Sequence, residues 1–115
     1  MLVVVTSIFR MANRHLARSV VLQVLFEKDQ SNGAMDNDQC IERLLEYAKE
    51  FGARDSDIPF MKTLLQNAGA KQKEIDQVIV SAAPEWPIDK IAAIDRNVLR
   101  LGLAELLYAA KDHDV

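Results

Sequence analysis

The sequence predicts an all-α protein, on three observations. Apolar residues recur at helical spacing and nowhere alternate for long. The stretches that carry this spacing are separated by helix-ending signals: Ser31-Asn32-Gly33, Phe51-Gly52, Gly69 and the Pro84/Pro87 pair. The first and last of these stretches are apolar over most of their circumference, as helices enclosed by other helices are. A packed helical bundle accounts for all three without a sheet.

The elements follow in order. The first helix is expected over about 13–28, with Asn13 as its N-cap and the Ser31-Asn32-Gly33 turn closing it. Ahead of it, Leu2, Val3, Val4, Val5, Ile8 and Phe9 form an apolar run too short to cross a bilayer. That run lacks the basic start and small-residue cleavage site of a signal peptide. Met11 reads as a natural start, so residues 1–10 are expected to be a non-functional extension and 11–115 the helical domain; the alternative is a real segment packed on the surface.

A second helix should begin near Asp36, carry Ile41, Leu44, Leu45, Tyr47 and Ala48, and end at Phe51-Gly52. A third follows Asp55 or Ser56, with Pro59 in its first turn, where a missing N–H does no harm, and Met61, Leu64 and Leu65 on its apolar side. Gly69 is expected to separate it from a fourth helix over 71–82, with Ile75, Val78 and Ile79 inward. Pro84 and Pro87 bracket Trp86, which is placed as a hydrophobic staple is and is expected to anchor the core. A short Pro-led helix then runs into a long final one ending near Lys111, with Asp89 and Asp95 favouring early turns.

With 115 residues, the chain is one domain with a modest core. The single cysteine, Cys40, excludes an internal disulfide and fits a reduced, cytoplasmic compartment. His15 and His113 lie far apart in sequence, so no metal site is expected, and no cofactor. There is no Gly-rich phosphate loop, nucleophile elbow or paired His/carboxylate motif, and the chain reads as a binding protein and not an enzyme.

Charge distribution says more than the net charge of -3. From Arg10 to Phe26 the chain carries Arg10, Arg14, His15 and Arg18 and no acid, whereas 36–57 is rich in Asp and Glu. A local basic patch on an acidic protein can bind phosphate while rejecting indiscriminate binding; a solvated helix end would look the same.

On the first helix, His15, Ser19 and Gln23 fall at i, i+4, i+8 with Phe26 close by. Imidazole, hydroxyl, amide and an aromatic ring in one strip suit single-stranded RNA, whose bases stack on the ring while polar groups read edges or the sugar hydroxyl. The alternative is a plain exposed strip with Phe26 half buried against the second helix. Arg14 and Arg18 lie on another side, with Val21 and Leu25, and Arg18 is deep enough to need an acidic partner. Glu105, on the side of Ile94, Val98 and Leu101, is the acid expected to supply it. Arg96, Arg100 and Lys111 are expected on a polar, solvated face of the last helix.

The basic-headed first helix 12–26 and the run from Trp86 to Tyr108, in this order, resemble the NusB family of transcription antitermination and ribosomal RNA factors. The resemblance covers most of 13–115, with the two ends the specific parts, and implies a NusB-like helical bundle. It implies binding of the boxA element of RNA through Arg14, His15, Arg18, Ser19, Gln23 and Phe26. It implies the ribosomal protein NusE as partner and an antitermination complex on RNA polymerase, with no catalytic step and no membrane. Where the family has a denser arginine cluster, this chain has His15 and Leu16; where it often has tyrosine, this chain has Phe26.

Asp114 resembles the family's acid near the RNA and partner surface, just before a proline and a further helical segment that are absent here. Without that segment the apolar sides of Leu103, Leu106 and Leu107 are expected to be open, so marginal stability, a homodimer or a partner covering them is expected; the alternative is that the chain is a fragment. Two other readings stand beside this one: the NusB-like RNA-binding domain of a ribosomal RNA methyltransferase, and a helical protein-interaction module that never meets RNA.

Overall fold

A computed structural model describes residues 2–108 of the chain, with side chains described from Arg14 onward. Among these residues five α-helices form: α1 Leu2–Gln30, α2 Asn37–Glu50, α3 Ile58–Ala70, α4 Gln72–Ala82 and α5 Ala93–Tyr108. Single 3-10 turns at Asp55–Asp57 and Ile88–Lys90 lead into α3 and towards α5, and no strand occurs among the described residues.

Local chemistry sets most of the boundaries. Asp36 and Gln39 close a capping box at the head of α2: the Asp36 carboxylate accepts from the Gln39 N–H at 2.8 Å, and the Gln39 amide oxygen accepts from the Asp36 N–H at 2.9 Å. Gly52 stops α2 at φ +76°, a left-handed conformation that a side chain resists. Pro59 sits in the first turn of α3.

Helices α1 and α3 form the centre, α1 packing on α2, α3 and α5, and α3 on α2, α4 and α5. Ala17, Val20, Val21, Val24 and Leu25 of α1 meet Met61, Leu64, Leu65 and Ala68 of α3 in one buried cluster. Cys40, Leu44 and Ala48 close it from α2, Ile75 and Ile79 from α4, and Leu101 and Ala104 from α5. Each large aliphatic side chain so buried contributes roughly 1.5–3 kcal/mol.

The structure departs from the sequence reading in five places. Val78 does not face inward on α4: it is 42 % exposed, and only Ile75 and Ile79 of that helix are buried. Asn13 does not cap α1, which runs unbroken from Leu2, because no glycine or proline interrupts 2–13. Gly69 does not end α3. It lies inside the helix where Lys28 of α1 comes close, and a Cβ there would sit 3.2 Å from the Lys28 Nζ. Trp86 does not anchor the core. It is 66 % exposed on the turn after α4, and Ile88 and Ile91 take the inward positions instead.

Arg96 and Arg100 are not on a solvated face. Their side chains are only 13 % and 10 % exposed, because two acids from other helices receive them. Asp29, near the end of α1, accepts two hydrogen bonds from Arg96, at 2.9 and 3.0 Å, one from Asn97 at 2.7 Å and one from Arg100 at 3.2 Å. Arg100 also holds Asp76 of α4 with two hydrogen bonds, at 2.9 and 3.0 Å. Arg96 further donates to the carbonyls of Ile88 and Ile91, fixing the loop before α5.

Burial by itself would raise the Asp29 carboxyl. The hydrogen bonds from Arg96 and Asn97 and the charges of Arg96 and Arg100 outweigh it and hold the group below its ordinary value. A depressed carboxyl stabilises the fold above its unfolded pKa of about 4, and that contribution is lost as pH falls through the lower folded value. Asp29→Ala leaves two nearly buried guanidinium groups short of a partner and should cost about 3–5 kcal/mol in denaturant unfolding at neutral pH. Asp29→Asn should flatten the fall of stability below pH ~4. Equal stability of wild type and Asp29→Ala at pH 7 would contradict this account.

Candidate nucleic-acid interface

The side of α1 away from the core presents His15, Ser19 and Gln23 to solvent, one per turn, with Phe26 partly exposed beside them. They share that side because 3.6 residues per turn stacks positions four apart, and Ala17, Val20, Val21 and Val24 occupy the opposite side in the core. Ser19 Oγ donates to the His15 carbonyl at 3.0 Å, and the Gln23 amide donates to Glu27 at 3.4 Å.

Neighbouring helices hold both edges of this strip. On the α5 edge Arg18 donates to both carboxylate oxygens of Glu105, from Nε at 2.8 Å and from Nη2 at 2.6 Å. The hydrogen bond it donates to Glu105 holds Arg18 above its ordinary pKa against the opposing effect of burial. Glu105 is the partner expected for Arg18, although the Arg18 side chain stays 40 % exposed, and the pair ties the first helix to the last. On the α2 edge Glu27 accepts from Arg43 at 3.1 and 3.3 Å and from the Tyr47 hydroxyl.

Arg14 behaves differently from Arg18. Its guanidinium lies over the Phe60 ring of α3, 3.9 Å from the centroid, and among the described residues it pairs with no acid. Stacked on one side, it keeps guanidinium donors that no described acid receives. Arg18 spends its charge on Glu105 and acts by positioning α1. The structure therefore brings His15, Ser19, Gln23 and Phe26 onto one strip with Arg14 and Arg18 beside it. Asp114 lies outside the described residues.

Reading the sequence did not find Phe60 or the Glu27–Arg43–Tyr47 cluster. Arg43, Tyr47 and Phe51 do repeat at i, i+4, i+8, which is a legible signal for an aromatic ladder on α2. Phe60 follows Pro59 on α3 and leaves no signal that it would meet α1. Among the described residues no group of His, Cys, Asp and Glu side chains is placed to hold a metal ion. Burial pushes the Cys40 thiol up, away from nucleophilic reactivity. No described helix is long and apolar enough to cross a membrane.

The fold and this surface define a class: an all-α bundle whose first helix, locked to its neighbours, displays a polar and aromatic strip with a basic flank. The NusB family model matches residues 13–115, and the chain belongs to the NusB family. It is 36% identical over 97 residues to the transcription antitermination protein NusB of Herpetosiphon aurantiacus, covering 84% of this chain and 63% of that protein. It is 34% identical over 96 residues to that of Chloroflexus aggregans, covering 84% and 61%, and 35% identical over 97 residues to that of Desulforamulus reducens, covering 84% and 64%. The chain thus spans somewhat under two-thirds of the length of these curated relatives. No solved structure matches it.

A partly buried pair with two short hydrogen bonds should couple more strongly than an exposed one. In a double-mutant cycle of Arg18→Ala and Glu105→Ala, unfolding should give a coupling of about 1 kcal/mol or more. A coupling near zero would mean that the pair does not tie α1 to α5.

Proposed function

We propose that this chain is an RNA-binding transcription antitermination factor. It takes boxA-type single-stranded RNA along the α1 strip and acts in the cytoplasm with the ribosomal protein NusE in the antitermination complex on RNA polymerase. The observation that carries the reading is Arg14: a cation stacked on Phe60 without an acidic partner among the described residues, beside a strip able to stack and hydrogen-bond bases. The names of the relatives support the transcriptional role. In this reading Arg14 contacts phosphate, His15, Ser19 and Gln23 meet base edges or sugar hydroxyls, and Phe26 stacks. Arg18 keeps the strip in place through Glu105, and Asp114 belongs to the surface where RNA and partner meet.

The function has no chemical step: RNA and NusE each stabilise the other's binding, and the assembled unit is what the polymerase receives. Residues 1–10 stand outside the functional unit. A protein partner has a natural place on α5, where Ile94, Val98, Leu99, Leu106 and Leu107 are exposed. Either NusE or a second copy of the chain would bury them.

Binding to a boxA-like RNA, measured by fluorescence anisotropy across a salt series with and without NusE, tests this. Affinity should fall steeply with salt and rise with NusE. Arg14→Ala should weaken binding several-fold and reduce the salt slope by about 1. A folded protein that binds no such RNA in either condition would overturn the reading.

A further inference from the structure

Helix α2 carries a stack of planar groups that the proposed α1 strip does not include. The Tyr47 and Phe51 rings lie parallel, their planes within 5° and their centroids 5.8 Å apart. The Arg43 guanidinium lies over Tyr47 at 4.5 Å from its centroid. Phe51 closes the ladder at the end of α2 and is 47 % exposed. The ladder is also braced, since Glu27 of α1 holds both Arg43 and the Tyr47 hydroxyl. The same Glu27 accepts from Gln23, the last polar member of the strip, so strip and ladder adjoin.

We propose that the exposed Phe51 ring, backed by Tyr47, is a second base-stacking platform, receiving a nucleotide of single-stranded RNA that runs past the α1 strip; it rests on the RNA-binding reading above. Aromatic faces accept any base, so the platform adds affinity and length without adding sequence preference. Its surroundings set the character of the contact. Glu42, Glu46 and Glu50 follow one another along the outer side of α2 and are exposed, and they repel phosphate. The backbone of the extended strand therefore stays on the α1 side while a base reaches the Phe51 ring. Stacking and not counterion release supplies the gain, which makes it nearly independent of salt, unlike binding to the strip itself.

The test compares three RNAs: a boxA-like core, the core lengthened by three adenosines at either end, and the core lengthened equally by abasic nucleotides. The adenosine extension at one end should tighten binding about tenfold, at low and at high salt, and the abasic extension should not. Phe51→Leu keeps an apolar side chain at an exposed helix end. It should abolish the gain while leaving affinity for the core and the melting temperature unchanged. Adenosine and abasic extensions that bind alike, or a gain that survives Phe51→Leu, would overturn the platform while leaving the α1 reading intact. Failure of the core RNA itself to bind would remove both.

Discussion

A carboxylate near the end of the first helix gathers the molecule. Asp29 receives Arg96, Asn97 and Arg100 from α5, and Arg100 passes the connection on to Asp76 of α4. Two guanidinium groups and an amide at this depth are tolerable only because their donors meet acceptors. Removing one member would leave the rest buried and uncompensated. The constraint is geometric as much as energetic. Both Arg96 and Arg100 must reach Asp29, so α5 has one register against α1, and the loop carbonyls of Ile88 and Ile91 are fixed by the same Arg96.

That register decides what the first helix can display. With α5 set at Asp29, Glu105 comes opposite Arg18 three turns away, and the pair closes the other end of the contact. Glu27 with Arg43 and Tyr47 does the equivalent work against α2. The polar line His15, Ser19 and Gln23 is left in the gap between two anchored edges, on a helix whose opposite side is fully enclosed. A binding strip on such a helix is preorganised and loses little freedom when a ligand arrives. The fold holds one helix still and shows one side of it.

Much of this was legible in the sequence because it is local. The start of α2 at Asp36, the proline in the first turn of α3, the glycine after α2 and the enclosed first helix follow from spacing and backbone chemistry. The Arg18–Glu105 pair could be anticipated as well, since each residue lies on an apolar side of its helix and requires an opposite charge. Arg96 and Arg100 could not be placed. A wheel drawn on α5 alone shows polar residues on one face and takes that face for solvent, whereas Asp29 and Asp76 lie 67 and 24 residues away in sequence. Trp86 misled for a related reason: its position ahead of a helix fits a staple, but Ile88 and Ile91 had already filled the space. The ladder on α2 was written in the spacing of Arg43, Tyr47 and Phe51, yet only the brace from Glu27 shows that it adjoins the strip.

The central claim is that RNA lies on the exposed side of α1, between its two anchored edges. The most direct measurement is a titration of isotopically labelled protein with a boxA-like RNA, following backbone amide shifts residue by residue. The largest changes are expected from Arg14 to Phe26, with little change in α4, whose residues lie off both edges. Changes centred on the exposed apolar side of α5, with α1 undisturbed, would contradict it.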